Sequence, residues 1–97
     1  MHTAHSFLDR TIFLRKLSTL ATSLYILLCK LLDEDLSPTL ARIRGNWAGT
    51  EQELIGAAEE LVREGILVPM SFSDDNKRWW IYPSTSWYPH RKDQIRH

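Results

Sequence analysis

The sequence predicts an α+β fold, mainly α, in one domain spanning 1–97: a long N-terminal helix, a helix–turn–helix pair and a C-terminal β-hairpin. Three observations predict it. Apolar residues in the first third recur at alternating spacings of four and three, strong capping signals stand before residues 38 and 51, and after Gly65 the apolar period changes from helical to two. Residues 1–17 read as an N-terminal helical extension and 83–97 as a C-terminal tail. A chain this short buries only about 60–65% of its unfolded surface, so its core must be compact or shared with a partner.

The first stripe runs Phe13, Leu17, Leu20, Leu24, Leu27 and Leu31, and it also matches a heptad seam. Leu14, Leu28 and Leu32 widen it. Ser18, Thr19, Thr22 and Ser23 lie off the stripe and are modest helix formers, so the segment is either one helix from Phe7 to Asp33 or two with a break near Ser18. One reading is a first core helix. The other is a homodimer with Phe13, Leu17, Leu20 and Leu24 in the seam, since each such burial is worth about 1.5–3 kcal/mol and a lone small domain leaves part of it unused.

Asp33-Glu34-Asp35 ends that helix. Ser37-Pro38 is a helix start, a serine cap followed by proline at the first helical position, and Gly45-Asn46 stops the short helix that follows. After the turn Trp47-Ala48-Gly49, Thr50 and Glu53 form a capping box for a helix that runs to Glu64 and halts at Gly65. Beyond it, Ile66, Val68, Met70 and Phe72 alternate with Leu67, Pro69 and Ser71, which reads as an edge or irregular strand because of Pro69. A turn cluster over 73–77 leads to a second strand, Arg78 to Tyr82, with Trp79 and Ile81 on one face and Arg78, Trp80 and Tyr82 on the other. Trp87 and Tyr88 are candidates to fold back onto the core.

The stretch Leu24 to Tyr82 resembles the winged helix-turn-helix superfamily. Thr50, Leu54, Ala57-Ala58, Leu61-Val62-Arg63-Glu64-Gly65-Ile66-Leu67 and the hairpin Asp74-Asp75-Asn76 carry the resemblance. Ala21 to Leu28 is similar to the first helix of winged-helix regulators and of phage or plasmid replication-initiator domains. The resemblance implies that the hairpin is the wing and that helix 51–64 enters the major groove of double-stranded DNA. It implies a DNA-binding transcription or replication regulator, acting as a dimer; the superfamily also holds pure protein-binding modules.

Charge argues against the simplest form of that expectation. Twelve basic and twelve acidic side chains give a formal net charge of zero, whereas nucleic-acid binders usually carry a basic excess. On helix 51–64 the buried side is Leu54, Ala57, Ala58, Leu61 and Val62. The outward face is Gln52, Glu53, Gly56, Glu59, Glu60 and Arg63, within a segment of five glutamates and one arginine. An acidic face is electrostatically wrong against a polyanion. Arg42, Arg44, Lys77 and Arg78, on the short helix and the wing, are therefore the expected phosphate contacts. Trp80 stands beside them, and Gln52 is the candidate base contact. Gly56 either permits close approach to a ligand or serves tight helix packing. The opposing reading is a protein-interaction module, its acidic helix meeting a basic partner and its wing aromatics buried against it.

Enzyme, metal and cofactor chemistry find no support. His2, His5, His90 and His97 lie near the termini without metal-ligand spacing, and there is no glycine-rich phosphate loop. Cys29, in an apolar run, reads as a small buried hydrophobe, which fits a reducing, cytoplasmic setting. Leu20 to Leu32 is too short to span a bilayer, and the N-terminus lacks the pattern of a signal peptide.

Overall fold

Side-chain caps open each helix. In the computed structural model, which describes residues 8–69 and 72–87, Ser18 caps α1 (Thr19–Asp33), Thr39 caps α2 (Leu40–Asn46) and Thr50 caps α3 (Glu51–Arg63). The capping box is complete: Thr50 N donates to the Glu53 carboxylate at 2.9 Å and Glu53 N donates to Thr50 Oγ1 at 3.1 Å. Gly49 makes room for it, because a Cβ there would collide with Glu53 Oε1 and stand 3.0 Å from Trp47 Nε1.

Of the two readings of the N-terminal stripe, the broken one holds. A 3-10 turn over Arg10–Leu14 is capped by Asp9, and extended backbone then leads to Ser18. Phe7 lies outside the described residues. The heptad seam is accordingly not continuous. Phe13 sits on the 3-10 turn at 57% exposure, Leu17 is half-buried, Leu20 is 37% exposed, and Leu24 is wholly buried in the chain's own core.

α1 and α3 end in the same way. Leu36 N donates to Leu31 O at 2.8 Å and Asp35 N to Leu32 O at 3.0 Å; Ile66 N donates to Leu61 O at 2.9 Å and Gly65 N to Val62 O at 3.0 Å. These are paired closures of the last helical carbonyls, and each turns through a left-handed residue. That residue is Gly65 (φ 75°) after α3 and Asp35 (φ 59°) after α1.

The core joins Ala21, Leu24, Tyr25, Leu28, Cys29 and Leu31 of α1 to Leu54, Ala57, Ala58 and Leu61 of α3. Leu40 and Ile43 of α2 close a third side, and Ile12, Ile66, Leu67, Trp79 and Trp87 complete it. α1 packs more extensively on α3 than on α2. Val62, expected inside, is half-buried. Trp87 does fold back: its ring meets Tyr25 edge-on at 5.6 Å and its Nε1 donates to Tyr82 O at 2.8 Å. Tyr88 lies outside the described residues.

The fold class needs correction. Among the described residues, which are mainly helical, no strand forms and the expected C-terminal β-hairpin wing is not seen. Two isolated antiparallel bridges stand in its place, Thr39 with Arg78 and Leu67 with Ile81. The reason is that the segment from Arg78 to Tyr82 divides its pairing between two neighbours. Trp79 N donates to Pro38 O at 2.9 Å, whereas Val68 N donates to Trp80 O at 2.9 Å and Tyr82 N to Ile66 O at 2.8 Å. Neither pairing lasts long enough to make a ladder. Ile66 and Leu67 are also consecutive and both fully buried, which is not the two-faced alternation of a strand. The same bridging moves the start of α2. Pro38 and Thr39 are held extended against Arg78, so the helix begins at Leu40 behind Thr39 rather than at Pro38 behind Ser37.

The two left-handed turns yield opposite mutational outcomes. Gly65→Ala forces a Cβ into that conformation and should cost on the order of 1 kcal/mol, whereas Asp35→Gly relieves the same strain and should be neutral or stabilising by up to about 1 kcal/mol. Urea denaturation of both variants checks the pair; equal destabilisation would contradict it.

Candidate nucleic-acid interface

The acidic character of α3 is largely consumed inside the molecule. Glu60 accepts from Ser18 N at 2.8 Å and from Ser18 Oγ at 2.7 Å. Glu64 pairs with Arg15 at 2.8 Å, Glu51 pairs with Arg44 at 2.6 Å, and Glu53 completes the capping box. Glu59 is exposed and pairs with no cation among the described residues. The helix thus uses most of its glutamates to hold the N-terminal segment, α2 and its own first turn. Gly56 is exposed with nothing within 4 Å of where a Cβ would sit, so no tight packing explains it.

The six expected nucleic-acid contacts separate into two groups. Arg44 is already bound: its guanidinium pairs with Glu51 and with Asp75, and its Nη2 also reaches Phe72 O at 3.4 Å. The hydrogen bond to Glu51 holds its pKa above the usual arginine value. Gln52 is exposed on the first turn of α3, flanked by Glu51 and Glu53. Arg42, Lys77, Arg78 and Trp80, by contrast, come together. Arg42 Nη1 donates to Ser37 O at 3.1 Å, and Arg78 Nη1 lies 3.5 Å from Ser37 Oγ. Lys77 is anchored through its carbonyl, which accepts from Leu40 N at 3.1 Å, and its side chain is exposed. The Arg78 guanidinium stacks over Trp80 at 4.3 Å from the ring centroid, and Trp80 is 56% exposed. None of Arg42, Lys77 and Arg78 has an acidic partner among the described residues. Ser37 is the residue that sequence reasoning missed here. Its local signal is that of a helix cap, and only the bridge between Thr39 and Arg78 brings the second arginine to it.

Next to this cluster a groove of about 520 Å³ opens between α1 and the segment 78–84. Tyr25 and Leu32 line it from α1, Trp80 and Tyr82 from the later segment, and Asp9 and Ser84 also line it. Hydrogen bonds from Ser84 and Thr11 hold the Asp9 carboxyl below its ordinary range, and Asp9 N donates to the Tyr25 hydroxyl at 3.3 Å. Two lining residues carry buried N–H groups without a hydrogen-bond partner among the described residues, Arg78 Nε and Trp79 Nε1. Asp9, Tyr25 and Leu32 had no local signal as site residues, since they reach the groove from segments distant in sequence.

Other chemistry is sparse. Among the described residues no cluster of His, Cys, Asp and Glu is placed to hold a metal, and no helix is long and apolar enough to cross a membrane. All four histidines lie outside those residues. Cys29 is buried, and burial pushes its thiol up to about 12.

Glu60→Gln should lower stability by about 1 kcal/mol by weakening both bonds to Ser18, whereas Glu59→Gln should stay within about 0.5 kcal/mol of the parent; thermal melts of the two decide it. Asp9 has a folded pKa below its ordinary 3.8, so its contribution is present above that value and is lost as pH falls through the lower one. Between about pH 4 and pH 2, Asp9→Asn should therefore lose less melting temperature than the parent; parallel curves would show that Asp9 contributes nothing. As to relatives, no protein-family model, no curated protein and no solved structure matches the chain.

Proposed function

We propose that this chain is a small, non-enzymatic binding module that holds nucleic acid by its phosphates at the Ser37 edge, in the service of transcription or replication control. The supporting observation is the convergence of Arg42 and Arg78 on Ser37, with Lys77 and Trp80 alongside and no acidic partner for the three cations among the described residues. Phosphate neutralisation supplies most non-specific affinity, and it needs cations that are not already paired. Arg44 is a bound cation and Glu59 an unpaired acid, so neither α3 nor the C-terminal end of α2 is part of this surface.

A protein partner is the second reading, favoured by a different observation. Phe13 and Leu14 are consecutive, apolar and 57% and 80% exposed, the kind of pair that a partner protein buries.

The test is a titration of random-sequence DNA across a range of salt. Lys77→Ala with Arg78→Ala should weaken binding to all sequences alike and shallow the salt slope by roughly 0.7–0.9 for each phosphate no longer neutralised. Arg44→Ala should change that slope far less. Absence of binding at low salt, or a slope unmoved by the double variant, would overturn the nucleic-acid reading and leave the protein partner.

A further inference from the structure

Trp80 and Tyr82 are poorly used by the folded chain. They remain 56% and 40% exposed, and they line a groove together with Tyr25 and Leu32 of α1. At about 520 Å³ the groove lies in the range of sites that take small planar ligands. The Arg78 guanidinium carbon lies over the Trp80 ring, 4.3 Å from its centroid, and holds the indole in place. The outer end of the arginine's fork is incompletely satisfied: Nη1 reaches Ser37 Oγ only at 3.5 Å, while Nε is buried and has no hydrogen-bond partner among the described residues. A phosphate accepts from two guanidinium nitrogens at once, and Arg42 stands on the other side of Ser37 to share its charge. The groove is polarised as well. Asp9, hydrogen-bonded by Ser84 and Thr11, repels a phosphate from the part it lines, while Arg78 attracts a phosphate to its own part.

We infer that this groove receives one unstacked base of a nucleic-acid strand, with the adjoining phosphate on Arg78 and Arg42, so that the module prefers single strands to continuous duplex. The inference rests on the nucleic-acid reading above and adds the form of nucleic acid. An aromatic face exposed beside a cation is the general means of holding an unpaired base, because every base has a π-face to stack and a phosphate next to it. In a duplex the faces are already stacked on their neighbours, and insertion between α1 and Trp80 requires a base to leave the stack. The part lined by Asp9 fits the same orientation, since a carboxylate accepts from the exocyclic amine of a base and not from a phosphate.

The experiment compares a short mixed-sequence single strand, the blunt duplex of the same sequence and a free mononucleotide, each titrated by fluorescence anisotropy or competition against the full chain at one salt concentration. The single strand should bind at least about tenfold tighter than the duplex. Trp80→Ala should lower single-strand affinity by roughly 5- to 100-fold, the value of one stacked base, lower duplex affinity far less, and be largely rescued by Trp80→Phe. Trp80 is exposed, so the variant should keep the parent's circular dichroism, and that is checked first. Lys77→Ala with Arg78→Ala should weaken both forms. A duplex that binds as well as the single strand, with Trp80→Ala affecting neither, overturns this inference and leaves phosphate binding standing. A free mononucleotide bound as tightly as the strand overturns the strand as the ligand. No binding of any of the three, even at low salt, removes the nucleic-acid reading itself.

Discussion

The packing of α1 against α3, with alanine at 21, 57 and 58 among the buried positions, is the contact from which the remaining structure is hung. Small residues let two helices approach closely, and interiors at this density are sensitive to a single methylene. Once α3 is fixed, its polar edges organise what surrounds it. Glu60 and Glu64 hold the segment that carries Arg15 and Ser18, and Glu51 holds α2 through Arg44. Residues 75–82 then fit beneath α2 and beside residues 66–68, bringing Trp79 into the interior.

This arrangement explains how a chain with zero formal net charge presents a local positive surface. Most of the glutamates on α3 are satisfied where they stand, and Asp75 is satisfied by Arg44. Arg42, Lys77 and Arg78 gather around Ser37 with no acidic partner among the described residues, whereas the likewise unpaired Glu59 lies on α3. Net charge is a statement about solubility and long-range attraction, whereas binding depends on which charges are left over after folding and where they lie.

The local chemistry of the sequence is readable to within a residue or two. Ser18, Thr50 with Glu53, and Gly65 act through contacts a few positions away, and the helices they bound are there. Thr39 displaces Ser37 as the cap of α2 because a bridge to the distant Arg78 holds the backbone extended, which no local signal encodes. The hairpin fails for a related reason. Alternation over Arg78 to Tyr82 reports burial, since Trp79 is inside and Trp80 outside, but burial with period two does not require a ladder. Of the candidate site, the residue types are legible and their company is not. Arg42, Lys77, Arg78 and Trp80 can be chosen as cation and aromatic; that Arg44 is already paired, and that Ser37, Tyr25 and Asp9 share the site, depends on contacts between remote segments.

The bonds from the N-terminal segment to α3 join residues far apart in the chain: Ser18 lies 42 positions from Glu60 and Arg15 lies 49 from Glu64. Closing such loops is slow relative to forming a helix turn and its neighbours, so these contacts come late in folding. The same segment is also held by polar contacts at its edges and one buried isoleucine, Ile12, rather than by a broad apolar face. With Ile12 and the partly buried Leu8 and Leu17 as its apolar contacts, it opens at a lower cost than the three helices do. Detachment would bare the site of Ile12 and withdraw Asp9 from the lining of the groove.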